Sequence, residues 1–359
     1  MVHGFRRRYA GILALLTAAM LLVTACGGGG QGGSGSDQGG AGTEPNDAGG
    51  ADAGEAPSVQ EFKLAMILPG TVEDADYNFV GYEALQAVQQ EFGLQTSYQE
   101  RVAPADAERV ARGFINDGFN IIAFHGGQFV TTVQKLAPEF PDVNFIAESS
   151  GEIAGLPENV WNIGRKFYEG FYALGALAAH ATESNKIGIV VGIELPDFIA
   201  SINAIKQAVA AENPGAEVIY TFVGDQNDPV KARQAAEAQI NSGVDVIILV
   251  VNLGAFGVIE AVKGTDVLLT TYYTDKSDLA PDNFASSLLL DFGVPYKAVV
   301  GRIMEGQRGG DEEMRPGNGM SLAPVANVPE GAGDRVQEIF DRIVSRELQL
   351  EEKTDAIAE

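Results

Sequence analysis

The chain has 359 residues, 45% of them hydrophobic and 20% charged, with a formal net charge of −25. Such acidity argues against nucleic acid or an anionic lipid surface as a partner and disfavours a free polyanionic substrate. A single cysteine, Cys26, excludes a structural disulfide within the chain and a thiolate metal site.

The first element is an export signal over residues 1–25. Arg6, Arg7 and Arg8 precede an uncharged segment from Ala10 to Ala25, which closes with Leu22-Val23-Thr24-Ala25. About 16 positions are too few to cross ~30 Å of hydrocarbon comfortably, whereas a basic start, a short apolar core and small residues at the cut suit a signal peptide. A cysteine placed directly after those small residues resembles a bacterial lipobox. That resemblance implies that Cys26 becomes the lipidated mature N-terminus. Cleavage removes three arginines and no acids, so the mature chain carries about −28. Residues 26–60 are almost wholly Gly, Ala and small polar residues, which cannot bury a core and read as a flexible linker with a reach of about 30 Å.

From Phe62 onward, β-branched or apolar runs alternate with amphipathic stretches. The predicted strands are Lys63–Leu68, Ile121–Phe124, Val143–Ala147, Ile187–Gly192, Glu217–Val223, Val244–Val251, Asp266–Tyr272 and Phe284–Leu290. The predicted helices are Tyr82–Phe92, Ala105–Asn116, Phe129–Phe140, Phe171–Thr182, Ile199–Ala211, Pro229–Asn241 and Phe256–Val262, with a last one from Val336 to about Ser345. Strand, helix, strand at this spacing means right-handed crossovers onto parallel sheets. Asn116-Asp117-Gly118 and Asn241-Ser242-Gly243 each end a helix ahead of a strand and occupy the same place in two successive halves, so two similar α/β lobes are expected.

Ligands of open parallel sheets sit beyond the carboxyl ends of the strands. The residues found there are Pro69, Gly70, Asp74, Asp76, Tyr77 and Asn78, then His125 to Gln128, then Glu148 to Ser150. In the second half they are Glu194, Asp197 and Phe198, then Asn252 to Gly254, then Tyr273 and Asp275. Aromatics, amides and carboxylates recur while lysine and arginine are nearly absent. This set suits a neutral, planar, hydrogen-bonding ligand better than a phosphate.

The stretch Asp74–Gln86 resembles the first-strand loop and helix of the basic membrane protein family, substrate-binding lipoproteins of ABC transporters of the purine nucleoside receptor type. Further matching segments follow in order: Asn159-Val160 with Glu169 and Tyr172–Gly175, Ile187–Ile193, Asn213-Pro214, Val223-Gly224 with Asp228-Pro229, Asn241–Val246, Gly254–Lys263 and Asp275–Pro281. The resemblance covers the chain from Phe62 to about Glu305. It implies an α/β type I periplasmic-binding-protein fold, two Rossmann-like lobes with parallel sheets joined by three hinge crossings, near Asn162–Lys166, Thr274–Phe284 and Gly309–Asn318. The expected division is 61–163 plus 284–312 for lobe I, 164–283 plus 313–346 for lobe II, and a frayed tail at 347–359. The resemblance also implies a lipid-anchored extracytoplasmic protein that delivers a small-molecule ligand to an ABC transporter permease.

By the same resemblance, Tyr77 matches the aromatic that stacks on a purine and Asn78 the amide beside it. Tyr273 falls where nucleoside binders place an aspartate for the ribose, and Leu290 near where they place a lysine. A bare nucleobase is therefore favoured over a nucleoside, unless Asp275 or Asp291 supplies the carboxylate. The candidate ligand-binding set is Tyr77, Asn78, His125, Gln128, Glu148, Phe198, Asn252, Tyr273 and Asp275. Asn78 has a competing role as cap of a helix beginning near Phe79 or Val80, His125 as a partner of its own loop, and Glu148 as a helix cap. Trp161 is expected to pack at a hinge, and His180 to face a helix C-terminus. No nucleophile elbow, metal spacing or thiol stands in the exported region, so neither catalysis, a cofactor nor a metal is expected, and the protein reads as a monomer. Competing readings are a ligand sensor for a membrane signalling receptor, a binder of a sugar or other small polar metabolite, and, with least support, a nucleoside hydrolase.

Overall fold

Residues 61–358, with the exception of Glu152, are described by a computed structural model. The expected signal, Cys26 and the linker lie outside the described residues. Apolar runs become strands where both faces are covered. In chain order the elements are β1 (Lys63–Ile67), α1 (Tyr77–Phe92), β2 (Gln95–Gln99), α2 (Pro104–Asn116), β3 (Ile121–Phe124), α3 (Val130–Leu136), β4 (Asn144–Ser149) and β5 (Val160–Arg165). There follow α4 (Phe167–Ala181), β6 (Lys186–Val191), α5 (Pro196–Glu212), β7 (Glu217–Phe222), α6 (Pro229–Asn241), β8 (Val246–Val250), α7 (Gly254–Val262) and β9 (Leu268–Tyr273). The last elements are β10 (Phe284–Leu290), α8 (Gly293–Met304), β11 (Gly310–Pro316), β12 (Gly319–Leu322) and α9 (Ala332–Val344).

Among the described residues, twelve strands run in the order β2-β1-β3-β4-β5-β11-β12-β10-β9-β8-β6-β7. Every neighbouring pair is parallel except β10 with β12. The order reads as two parallel half-sheets meeting at β11 and β12, the arrangement expected from the twin pattern. Fully buried strands such as β3 and β8 are apolar throughout. By contrast β2, which the apolar pattern does not reveal, is the polar run Gln-Thr-Ser-Tyr-Gln at an exposed edge. The two echoed turns both place glycine in the left-handed region, Gly118 at φ 86 and Gly243 at φ 95, where a side chain would be strained.

The chain passes between the half-sheets at three places: from β5 into α4, from β10 into α8, and from β11 into β12. The second differs from expectation. β10 pairs with β9 over Phe284–Leu289, so it stays in the second half-sheet, and the crossing lies at Leu290–Gly293 rather than across Thr274–Phe284. Asn283 fastens the segment before β10 there by donating to the Val262, Thr265 and Val267 carbonyls. The C-terminal tail is another correction. Instead of fraying, it is held by the buried Asn203 amide, which donates to the Lys353 and Ala356 carbonyls and accepts the Ala358 N–H. Leu348, Leu350 and Ile357 pack on the core, and Glu352 pairs with Lys166 at 3.3 Å beside the first crossing. Among the described residues no helix is long and apolar enough to cross a membrane.

Candidate functional site

The carboxyl ends of β1, β3, β4, β5, β6, β7, β8 and β9 converge on one cavity of about 660 Å³. The first half contributes Pro69, Gly70, Tyr77, Asn78, Gly127, Gln128, Ser149 and Arg165 to its wall. The second contributes Ile193, Leu195 to Phe198, Gln226, Asn227, Asn252 and Tyr273, while Phe167 lines it from the first crossing. A depression of about 420 Å³ beside the β11–β12 turn shares no residue with it. Most of the residues picked out as strand ends thus meet around this cavity.

Tyr77 opens α1, and its position follows from Asp74. The Asp74 carboxylate accepts the backbone N–H groups of Asp76, Asn78 and Phe79 at 2.9–3.0 Å, so the helix starts at Tyr77. The capping role weighed for Asn78 thus belongs to Asp74. The Asn78 amide instead accepts the Gly70 N–H at 2.8 Å and donates to Asp74 at 2.6 Å, which clasps the β1 loop against the helix. A Cβ on Gly70 would stand 2.5 Å from that amide, so glycine is needed for the close approach.

Behind Tyr77 lies a fully buried polar network. His125 stacks on the Tyr77 ring at 4.1 Å and 24°, with one ring nitrogen 2.6 Å from Glu148 and the other 2.8 Å from the Tyr77 carbonyl. Glu148 accepts from the Tyr77 hydroxyl at 3.0 Å and from the Tyr296 hydroxyl at 2.7 Å. Burial alone would raise the Glu148 carboxyl, but His125, Arg165 and Tyr296 hold it below its ordinary value. Burial, and then Glu148, push both tyrosine hydroxyls well above theirs. His125 and Glu148 are each 0% exposed, so they support the cavity wall through Tyr77 instead of forming it.

Two ion pairs cross the cleft. Arg165, at the end of β5, meets Asp197 in the first turn of α5 at 2.7 Å, and its guanidinium also donates to the Tyr77 hydroxyl at 3.2 Å. Burial opposes the arginine's charge, yet Asp197, Tyr77 and Glu148 hold its proton above the ordinary range. Asp76 in the first half and Lys276 in the second form the other pair, at 2.5 Å, with the residues 0% and 5% exposed. Burial pushes the Asp76 carboxyl up to about 7 in spite of the lysine, and its second oxygen has no partner. Beside this pair the Thr274 hydroxyl donates to the Ala75 carbonyl at 2.9 Å. Ala75 and Tyr273 both take left-handed backbone angles, φ 60 and φ 71, a conformation that costs about 1–3 kcal/mol and concentrates at functional sites.

Of the nine candidate residues, six line the cavity: Tyr77, Asn78, Gln128, Phe198, Asn252 and Tyr273. His125 and Glu148 are buried behind it. Asp275 is turned away, accepting from Ser277 and Ser287, and Asp291 accepts the Gly293 N–H at the start of α8. The carboxylate absent from position 273 is instead present in the wall as Asp197. Arg165 corrects the expectation of a site nearly free of cations. It escapes sequence reasoning because β5 reads as a hinge, which leaves its last residue outside the set of strand ends. Gln226 escapes with the loop after β7. Trp161 is buried in β5 beneath the Arg302 guanidinium, and His180 pairs with Glu212 at 2.8 Å.

The model of the Bmp family, described as ABC transporter substrate-binding protein, PnrA-like, matches residues 62–316. The chain belongs to this family. As a Bmp-family member it is a solute-binding protein and not an enzyme, and its partners are a small molecule and an ABC transporter. It is 26% identical to a purine-binding protein of Brucella abortus over 82% of its length and 84% of that protein's. It is equally 26% identical to a protein of Haloferax volcanii named for glucose binding in an ABC transporter, over 86% and 75% of the two chains. A solute-binding protein of Conexibacter woesei superposes with a TM-score of 0.69 at 26% identity, covering 81% of this chain and 99% of that one. The α/β fold of two parallel half-sheets is thus that of the solute-binding proteins.

Proposed function

We propose that this Bmp-family protein captures a small planar heterocycle, a nucleobase or purine nucleoside, by closing its lobes. It then hands the ligand to an ABC importer, acting as a monomer tethered outside the cytoplasm through a lipid on Cys26. The observation that carries the ligand class is the aromatic wall. Tyr77, Phe167, Phe198 and Tyr273 surround the cavity from both halves, and Tyr77 is backed by His125 so that its ring is held before a ligand arrives. A preformed ring loses little entropy on stacking, and a base on an aromatic face is worth ~1–3 kcal/mol. Arg165 and Asp197 stand in the same wall and suit the hydroxyls of a ribose, so a bare base is no longer favoured over a nucleoside. The same pair, with the Asn252 and Gln128 amides, also favours a sugar as the second reading, and a glucose-named relative agrees with it.

Calorimetry of the purified chain with adenine, hypoxanthine, adenosine, inosine, glucose and galactose separates these readings. We expect purine compounds to bind and Tyr77→Ala to weaken them tenfold or more, since stacking of about 1.4 kcal/mol is a factor of ten. Binding of the sugars alone would end the heterocycle reading, and an unchanged Tyr77→Ala affinity would take Tyr77 out of the site. The anchor is checked by growing cells with labelled palmitate. Wild-type protein should incorporate it and partition with membranes, and Cys26→Ser should do neither.

A further inference from the structure

His125 stands just past the end of β3, fully buried, and both of its ring nitrogens face atoms that accept hydrogen bonds. Nε2 lies 2.8 Å from the Tyr77 carbonyl, which has no hydrogen to give. Nδ1 lies 2.6 Å from the Glu148 carboxyl. That carboxyl is already surrounded by donors. The Tyr296 hydroxyl meets it at 2.7 Å, and the Tyr77 hydroxyl, which itself accepts from Arg165, meets it at 3.0 Å. With these neighbours Glu148 is an anion, held below its ordinary value. A neutral imidazole carries one hydrogen and satisfies one of the two acceptors, whereas a ring with a hydrogen on each nitrogen satisfies both.

The surroundings are shaped for the second contact. Gly81 lies one turn along α1 from Tyr77, and a Cβ there would come 2.6 Å from His125 Nε2. Glycine weakens a helix interior, yet here it lets the ring reach the Tyr77 carbonyl. Phe292 meets the imidazole edge-on at 5.0 Å. The charged and titratable groups around this network are Glu148 from β4, Arg165 from β5, Tyr77 from α1 and Tyr296 from α8.

We infer that His125 is a positioning residue that works as an imidazolium, bound to Glu148, to hold Tyr77 ready for the ligand. This rests on the heterocycle reading above for what Tyr77 stacks on, and names the device that aims it. Tyr77 is fixed at its ring face by the imidazole, at its main chain by the Nε2–H, and at its hydroxyl by Glu148 and Arg165. Taking one hydrogen from His125 removes one of these links. The ligand must then order the tyrosine itself, which weakens binding.

NMR of the chain labelled with nitrogen-15 histidine reads the protonation without any ligand. The His125 signals are those that survive in His180→Gln and exchange slowly with water. At pH 7 they should show a hydrogen on each ring nitrogen. Glu148→Gln, which has no charge to hold the second hydrogen, should leave one nitrogen bare. His125→Phe keeps a ring behind Tyr77 but offers no N–H, and should bind adenosine and hypoxanthine about three- to tenfold more weakly. A bare nitrogen in the wild-type spectrum, two hydrogens surviving in Glu148→Gln, or wild-type affinity in His125→Phe would each overturn the assignment. Should His125→Phe fail to fold, the two spectra still decide it. A wild-type chain that binds glucose and no purine ends the heterocycle reading, while the spectra still report on His125.

Discussion

Replacing Lys276 by alanine should weaken ligand binding by about a hundredfold. The lysine comes from the second half and reaches the Asp76 carboxylate of the first, and almost no water touches either residue. Breaking a buried pair by removing one partner costs about 3 kcal/mol or more, because the carboxyl left behind must either stay charged without solvent or counter-ion or take up a proton. Asp76 is poorly placed to bear this, since one of its oxygens already lacks a partner. The lobes relieve the strain by parting, and ligand affinity falls with the closed population. Adding Asp76→Asn to Lys276→Ala should recover most of the loss by removing the unpaired carboxyl. Calorimetry with the best purine ligand and small-angle scattering of the free protein read the two effects. Unaltered affinity and dimensions would show that the pair does not hold the cleft.

The same pair sets a pH dependence. Asp76 titrates near 3.8 when unfolded and at about 7 when folded, so the folded chain holds the proton more tightly. Its contribution to stability is complete below about 3.8 and is lost as pH rises towards 7, each unit of displacement being worth about 1.4 kcal/mol. Denaturant midpoints of Asp76→Asn should therefore gain on wild type between pH 4 and 7. A constant difference across that range contradicts the argument.

Gly257→Ala should be among the most destabilising single changes in the second half. A Cβ at this position of α7 would lie 1.8 Å from the Pro229 carbonyl oxygen, and that neighbour is backbone at the first turn of α6. Helix must move from helix, at a cost of about 3 kcal/mol or more and a fall of at least ~5 °C in Tm. Because α6 and α7 carry Gln226 and Asn252 at their leading ends, binding should weaken as well. Gly113 is the control. It lies inside α2, where an added methyl would meet nothing within 4 Å, so Gly113→Ala should stabilise by about 0.5–1 kcal/mol. Similar melting temperatures for the two variants would refute the steric account.

Strands buried on both faces are legible because nothing polar interrupts them: β3 and β10 match the predicted runs at both ends. The helix α6 is equally plain, with Pro229 at its first position and Asp228 capping it by accepting the Val230 and Lys231 N–H groups. β2 is hidden because an exposed edge strand has no apolar run to show. The site is legible as a set of strand ends, since topology alone puts Tyr77, Phe198 and Tyr273 around one opening. It is not legible as a set of partners. That His125 and Glu148 stand behind Tyr77, or that Asp197 is matched by Arg165, depends on how side chains from distant segments pair once folded. The tail reads as frayed because Asn203, which holds it, looks from sequence like an ordinary polar residue in an apolar helix.

The seam of the sheet carries a mechanical consequence. Where β11 meets β12, two parallel register pairs join the half-sheets, Arg315 with Gly319 and Pro316 with Met320, and a proline has no N–H to lend to a ladder. Gly317 and Gly319, at φ 80 and φ 82, let the chain sidestep at that spot and run on in the same direction. The molecule thus resembles a card scored along one line: a bend there breaks few bonds, while the panels on either side stay stiff.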